Sequence, residues 1–146
     1  MPVIIDYGVG NLFSLTSSFK FIGQDVTVTS DKKKIAAADK LILPGVGAFS
    51  DAAKALKETG MYDVVREEAA KGKPLLGICL GMQMLLTKSY EYGEHDGLDL
   101  IPGNVKPIAP IIGSELKVPH IGWNALIFPE DKPKSKLYKY VEPGEH

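Results

Sequence analysis

Pro74-Leu75-Leu76-Gly77-Ile78-Cys79-Leu80-Gly81-Met82-Gln83-Met84-Leu85-Leu86 decides the fold. It enters as an apolar run, like a buried strand, and leaves as a helical pattern rich in leucine and methionine. Cys79, the single cysteine of the chain, stands at the switch between two glycines. That is the layout of a nucleophile elbow, in which a sharp turn pushes the side chain out of the sheet and glycines let strand and helix approach closely. The helix start beyond it favours a thiolate. A lone cysteine also reads as a small buried hydrophobe, and spacing alone leaves both readings open. The pattern carries the helix after Cys79 to about Tyr90.

Working outward, the same alternation recurs upstream. Val3-Ile4-Ile5 is an apolar strand ending at Asp6, followed by the turn Tyr7-Gly8-Val9-Gly10-Asn11. Leu12, Leu15, Phe19 and Ile22 recur at helical spacing, and Gly23 stops that helix. Val26 to Thr29 is a second strand and Lys40 to Leu43 a third, broken by Pro44-Gly45-Val46-Gly47. Ile35 to Asp39 is a short helical or loop link between them. Ser50 is placed to cap a helix through Ala52, Ala53 and Leu56, and another helix runs past Tyr62 and Val65 to Gly72. Strands alternating with helices predict an α/β fold, a flavodoxin-like and mostly parallel sheet with helices on both faces. Ligands bind such sheets outside the carboxyl ends of the strands, where the turns at Asp6–Asn11, Pro44–Gly47 and Cys79 all fall. After Gly93, short proline-rich apolar stretches predict a C-terminal antiparallel extension, with hairpins within 97–110 and 116–128. The expectation is a single, partial domain over 1–146.

Composition narrows the function. The chain has 146 residues and a formal charge of −1, which argues against a nucleic-acid footprint. Lys32-Lys33-Lys34 reads as a solvated face. One cysteine excludes an internal disulfide, no secretory signal opens the chain, and no apolar run approaches a membrane span. A cytoplasmic protein with no membrane, nucleic-acid or metal partner is expected. One cysteine and three scattered histidines show no ligand spacing.

Thiolate attack on an acyl carbon builds negative charge on oxygen and needs preorganised donors. Leu80, directly after Cys79, offers one backbone N–H, and the Pro44–Gly47 turn can offer another. Gln83, four residues after Cys79, shares its helix face and carries an amide suited to a polar substrate. Each also has a plain reading: Pro-Gly as a simple turn, Gln83 as an exposed helical residue.

Together these residues closely resemble the class I (triad) glutamine amidotransferases, whose elbow reads Gly-x-Cys-x-Gly-x-Gln. More narrowly the chain resembles the glutaminase subunits of imidazole glycerol phosphate synthase. The match rests on Asp6-Tyr7-Gly8-Val9-Gly10-Asn11-Leu12, Leu43 to Phe49, Gly77 to Gln83, Gly103-Asn104-Val105 and Pro119-His120-Ile121-Gly122-Trp123-Asn124. It covers the chain in order. The resemblance implies that Cys79 attacks the side-chain amide of L-glutamine, forms a thioester and releases ammonia without any cofactor. It implies an oxyanion hole from the Val46 and Leu80 N–H groups, substrate contacts at Gly45, Gly47 and Gln83, and a (β/α)8-barrel cyclase subunit as partner in a heterodimer. Asn11, His120, Trp123 and Asn124 would meet that subunit. Ammonia would serve histidine biosynthesis.

The family draws its base from a His-x-Pro-Glu segment that has no counterpart among these 146 residues. His95 lies in a charged loop, His120 in the interface motif, and His146 at the terminus. The expectation is a short chain that hydrolyses glutamine slowly by itself, with an open sheet edge inviting self-association. Two other classes stand beside this one: a non-catalytic amidotransferase-like binding or scaffold protein, and a flavodoxin-shaped nucleotide module supported by Gly8-Val9-Gly10. Phe13 occupies the third glycine position of that fingerprint.

Overall fold

A computed structural model describes residues 1–144. They form two compact units, 1–107 and 108–144, each described by itself. His146, expected above at the terminus, lies outside the described residues.

The first unit is built on a parallel sheet of β1 (Pro2–Ile5), β2 (Thr27–Thr29), β3 (Lys40–Leu43) and β4 (Leu75–Gly77), in the order β2-β1-β3-β4. The register sets Val3 against Leu41 and Leu41 against Leu75, while Ile4 faces Ile42 and Ile42 faces Leu76. Side chains alternate across a strand, so one face carries Val3, Ile5, Leu41 and Leu43. That face packs on α2 (Lys32–Ala37), α3 (Phe49–Glu58), α4 (Met61–Ala70) and α5 (Leu80–Met84) through Ile35, Phe49, Leu56, Val65 and Met84. The chain steps outward from β1 to β2 through α1 (Leu12–Phe21), then back across β1 to β3. Right-handed crossovers therefore put α1 on the opposite face from α2 to α4. None of the residues of α1 is fully buried. The reversal makes the gap between β1 and β3 the topological switch point, where open α/β sheets bind ligands.

The parallel sheet with flanking helices is as the alternation predicts. Several details differ. Ser50 does not cap α3: the cap residue is Ala48, which makes no side-chain cap bond, and the Phe49 N–H is instead taken by Glu91 Oε2 at 2.7 Å. The helix after Cys79 stops at Met84 rather than near Tyr90. Its last carbonyls are claimed by a returning segment, with Leu98 N–H donating to Met84 O and Leu100 N–H to Leu85 O. The chain turns into β5 (Leu86–Ser89), which pairs antiparallel with β6 (His95–Asp96) and parallel with β7 (Ile101–Val105). Neither pairing is the antiparallel hairpin expected within 97–110: that stretch supplies one strand, β7, and β7 pairs in parallel with β5.

The second unit contains a short helix α6 (Ala109–Ile112) and a 3-10 turn at Lys136–Tyr138. Its described residues form no strand, so the expected hairpin within 116–128 is absent. Prolines at 107, 110, 119, 129 and 133 remove ladder donors at close intervals. Apolar residues such as Ile121, Trp123 and Ile127 stay exposed, so no packed face holds strands together. Among the described residues, no helix is long and apolar enough to cross a membrane.

Candidate active site

Cys79 sits where the sequence pattern puts it, between the end of β4 and the first residue of α5. Its backbone is at φ 55 and ψ −119, a left-handed conformation rare for a residue with a side chain. Ile78 N–H donates to Leu43 O at 3.0 Å, so the sheet ladder runs to the residue before the thiol. Gly81, Met82 and Gln83 then donate back to Ile78 O, Cys79 O and Cys79 O, closing the first helical turn tightly. The thiol is exposed. The alternative of a buried hydrophobe is excluded.

The glycines around it are required by contact. A Cβ on Gly77 would lie 2.6 Å from Met82 Cα, and one on Gly81 would lie 2.0 Å from Leu43 O. Strand β3, the elbow and α5 therefore meet backbone to backbone. Gly45 extends that contact to the next turn: its Cβ would stand 2.6 Å from Gly81 N and 2.9 Å from Leu80 Cβ. Gly10 does the same on the other side, where a Cβ would fall 2.8 Å from Pro44 Cβ. The three turns at Tyr7–Asn11, Pro44–Gly47 and Cys79 thus touch in sequence, as the strand ends predict.

Beyond Gly45 the turn emerges. Val46 is 51% exposed, and Gly47 has φ +86 with open space around its Cα. The Leu80 N–H, first of α5, and the Val46 N–H have no acceptor among the described residues, as expected of donors at a helix start and an open turn. Gln83 is half-buried one turn beyond Cys79. Such a thiol, with a free amide donor on the next residue, a second on the turn packed against its helix, and a carboxamide on that helix, has the parts for acyl transfer to sulfur.

The remaining candidates lie elsewhere. Asn11 is exposed and caps α1, its Oδ1 accepting from Ser14 N–H at 3.1 Å. His120, Trp123 and Asn124 belong to the second unit, where Asn124 Nδ2 and His120 Nε2 are 3.0 Å apart and Trp123 is 87% exposed. His95, the histidine of the first unit, lines a different cleft of about 360 Å³ with Ser50, Lys57 and Asp96, and its Nε2 is buried without a partner. Among the described residues no cluster suits a metal ion.

Two residues near the turn were not singled out by sequence. Tyr7, 1% exposed, donates its hydroxyl to Pro44 O at 2.7 Å, and burial pushes its pKa up to about 12. A hydroxyl-bearing aromatic just past a strand end is a faint sequence signal. Glu91 reaches Phe49 from 42 positions away, held by its own N–H donating to Ser89 Oγ at 3.1 Å, and no local signal announces it.

Residues 2–109 match the CobB/CobQ-like glutamine amidotransferase domain. Imidazole glycerol phosphate synthase subunit HisH of Carboxydothermus hydrogenoformans is 50% identical over 129 residues, 87% of this chain and 62% of that protein. The protein of the same name from Caldanaerobacter subterraneus is 49% identical, covering 98% of this chain and 67% of its own length. The chain thus spans about three-fifths to two-thirds of the curated relatives it matches. A solved structure, described as a crystal structure of glutamine amidotransferase, superposes with a TM-score of 0.63 at 24% identity, over 77% of this chain and 59% of that one, and shares the fold. By its matched domain and by this kinship, the chain belongs to the glutamine amidotransferase family, in the branch that holds imidazole glycerol phosphate synthase subunit HisH.

Proposed function

We propose that this chain is glutaminase machinery of imidazole glycerol phosphate synthase, as one part-length amidotransferase domain over 1–146. The observation that carries the reading is the exposed Cys79 at φ 55, with the Pro44–Gly47 turn packed against Leu80 and Gly81. In this reading the Cys79 thiolate attacks the carboxamide carbon of L-glutamine. The Leu80 and Val46 N–H groups take the developing oxyanion, and Gly45, Gly47 and Gln83 hold the substrate. Protonation of the amine nitrogen by water and collapse of that intermediate expel ammonia, leaving a glutamyl thioester that a second water hydrolyses to glutamate, freeing the thiol. A cytoplasmic (β/α)8-barrel cyclase subunit receives the ammonia, docking on Asn11, His120, Trp123 and Asn124.

The 146 residues contain no His-x-Pro-Glu segment, and His95 lines another cleft. Acylation is therefore expected without rapid turnover by this chain alone. A second reading is a non-catalytic relative that binds without reacting. Incubation with the diazoketone analogue of L-glutamine, followed by intact mass, separates them. Stoichiometric labelling that glutamine competes and Cys79→Ala abolishes supports the glutaminase. An unlabelled protein that still binds glutamine supports the scaffold. Ammonia release at the rate of a full-length relative would overturn the slow-turnover expectation.

A further inference from the structure

We infer that Tyr7 is a positioning residue for the thiol's oxyanion turn, acting through the Pro44 carbonyl; this rests on the glutaminase reading above. Tyr7 lies at the carboxyl end of β1 and Pro44 at that of β3, so their 2.7 Å hydrogen bond bridges the switch point of the sheet. Both residues are buried. A buried acceptor left unmatched is costly, so Pro44 O has one strongly preferred direction. The phenol, with its pKa about 12, keeps its proton and donates throughout the neutral range.

Pro44 is further hemmed in by the Gly10 backbone, which leaves no space for a Cβ, and Gly45 is pressed onto Leu80 and Gly81. Beyond Gly45 the support ends. Val46 is half exposed and Gly47 stands in open space, until Glu91 takes the Phe49 N–H. The Val46–Ala48 stretch is therefore suspended between the held Pro44–Gly45 pair and the Glu91 anchor. The Pro44 carbonyl shares its peptide plane with the Gly45 N–H, so the hydrogen bond from Tyr7 fixes that plane, and its rotation would turn the Gly45 backbone and re-aim the Val46 donor that follows.

Tyr7→Phe tests this, since it keeps the ring packing and removes only the hydroxyl. Three readouts are taken on the full chain: the rate of Cys79 labelling by the diazoketone glutamine analogue, the rate of alkylation by iodoacetamide, and the amide NMR chemical shifts of residues 46–48. The maximal rate of analogue labelling is expected to fall by about tenfold, with half-saturation within about twofold, because one buried hydrogen bond is lost. The amide resonances of 46–48 are expected to move more than those of the elbow helix, while iodoacetamide alkylation, which needs no oxyanion donor, stays unchanged. Equal losses with both reagents would mean general loosening and overturn the inference, as would wild-type labelling and amide shifts in Tyr7→Phe. Should the wild type take no label at all, the glutaminase reading fails, and the amide shifts of 46–48 still decide whether Tyr7 aims the turn.

Discussion

Cys79 is held where its own Cβ crowds the backbone, at φ 55 and ψ −119. Such conformations cost roughly 1–3 kcal/mol and persist only where the surroundings impose them. Here the surroundings are explicit: the Leu43 ladder bond before the residue and the tight donors from Gly81 to Gln83 after it. Glycine relieves the strain, although it loses more backbone entropy on folding. Cys79→Gly is therefore expected to exceed Cys79→Ala in unfolding free energy by about 1 kcal/mol, since alanine keeps the Cβ. Both lack the thiol, so the comparison isolates the backbone. Equal midpoints in urea would show that the elbow is not strained.

The elements meet through glycines and one long-range cap. Gly81→Ala forces a Cβ onto Leu43 O at 2.0 Å, and overpacking against rigid backbone is expected to remove about 3 kcal/mol. Gly72→Ala, at φ +82 with open space around it, is expected to lose only about 1 kcal/mol from backbone strain. Thermal unfolding of the pair checks the packing argument, which fails if both lose alike. Glu91→Ala strips the acceptor from the start of α3 and is expected to cost about 1 kcal/mol, whereas Glu91→Gln keeps an oxygen there and costs a few tenths. That cap shows where sequence reading stops. The elbow, the turns and the strands β1 to β4 are encoded locally, by apolar or β-branched runs bounded by Asp, Ser, Pro or Gly, so they are legible residue by residue. Residues 85–89 read as more helix because Leu85 and Leu86 continue the apolar spacing. What ends α5 is the returning segment at 97–101, whose N–H groups take its carbonyls. Ser50 looks like a cap for the same reason: the true acceptor, Glu91, belongs to a distant loop. Pairings made across tens of residues leave no mark in a local pattern.

At the scale of the molecule, the core belongs to the first unit, since no described residue of 108–144 is buried. The cooperative unfolding transition is thus that of 1–107, and its acid sensitivity has a specific source. Glu68, 4% exposed, binds Lys71 Nζ through Oε1 and Lys73 Nζ through Oε2, each at 2.6 Å. Lys73 also donates to Ile35 O and Ala36 O, so the carboxylate ties α4 to the end of α2 and the start of β4. The hydrogen bonds from Lys71 and Lys73 hold the Glu68 carboxyl below its ordinary 4.5. Between that lowered value and 4.5, the unfolded chain binds more protons than the folded one, so stability rises with pH there. The contribution is full above 4.5 and disappears as pH falls through the folded value. Glu68→Gln cannot titrate, while Lys73 keeps its two carbonyl partners and remains anchored. The stability gap between wild type and Glu68→Gln, from urea midpoints measured between pH 7 and pH 3, is therefore expected to be constant near neutrality and to narrow below 4.5. A gap unchanged down to pH 3 would mean that the buried carboxylate contributes through packing alone, and that acid unfolding of this fold begins elsewhere.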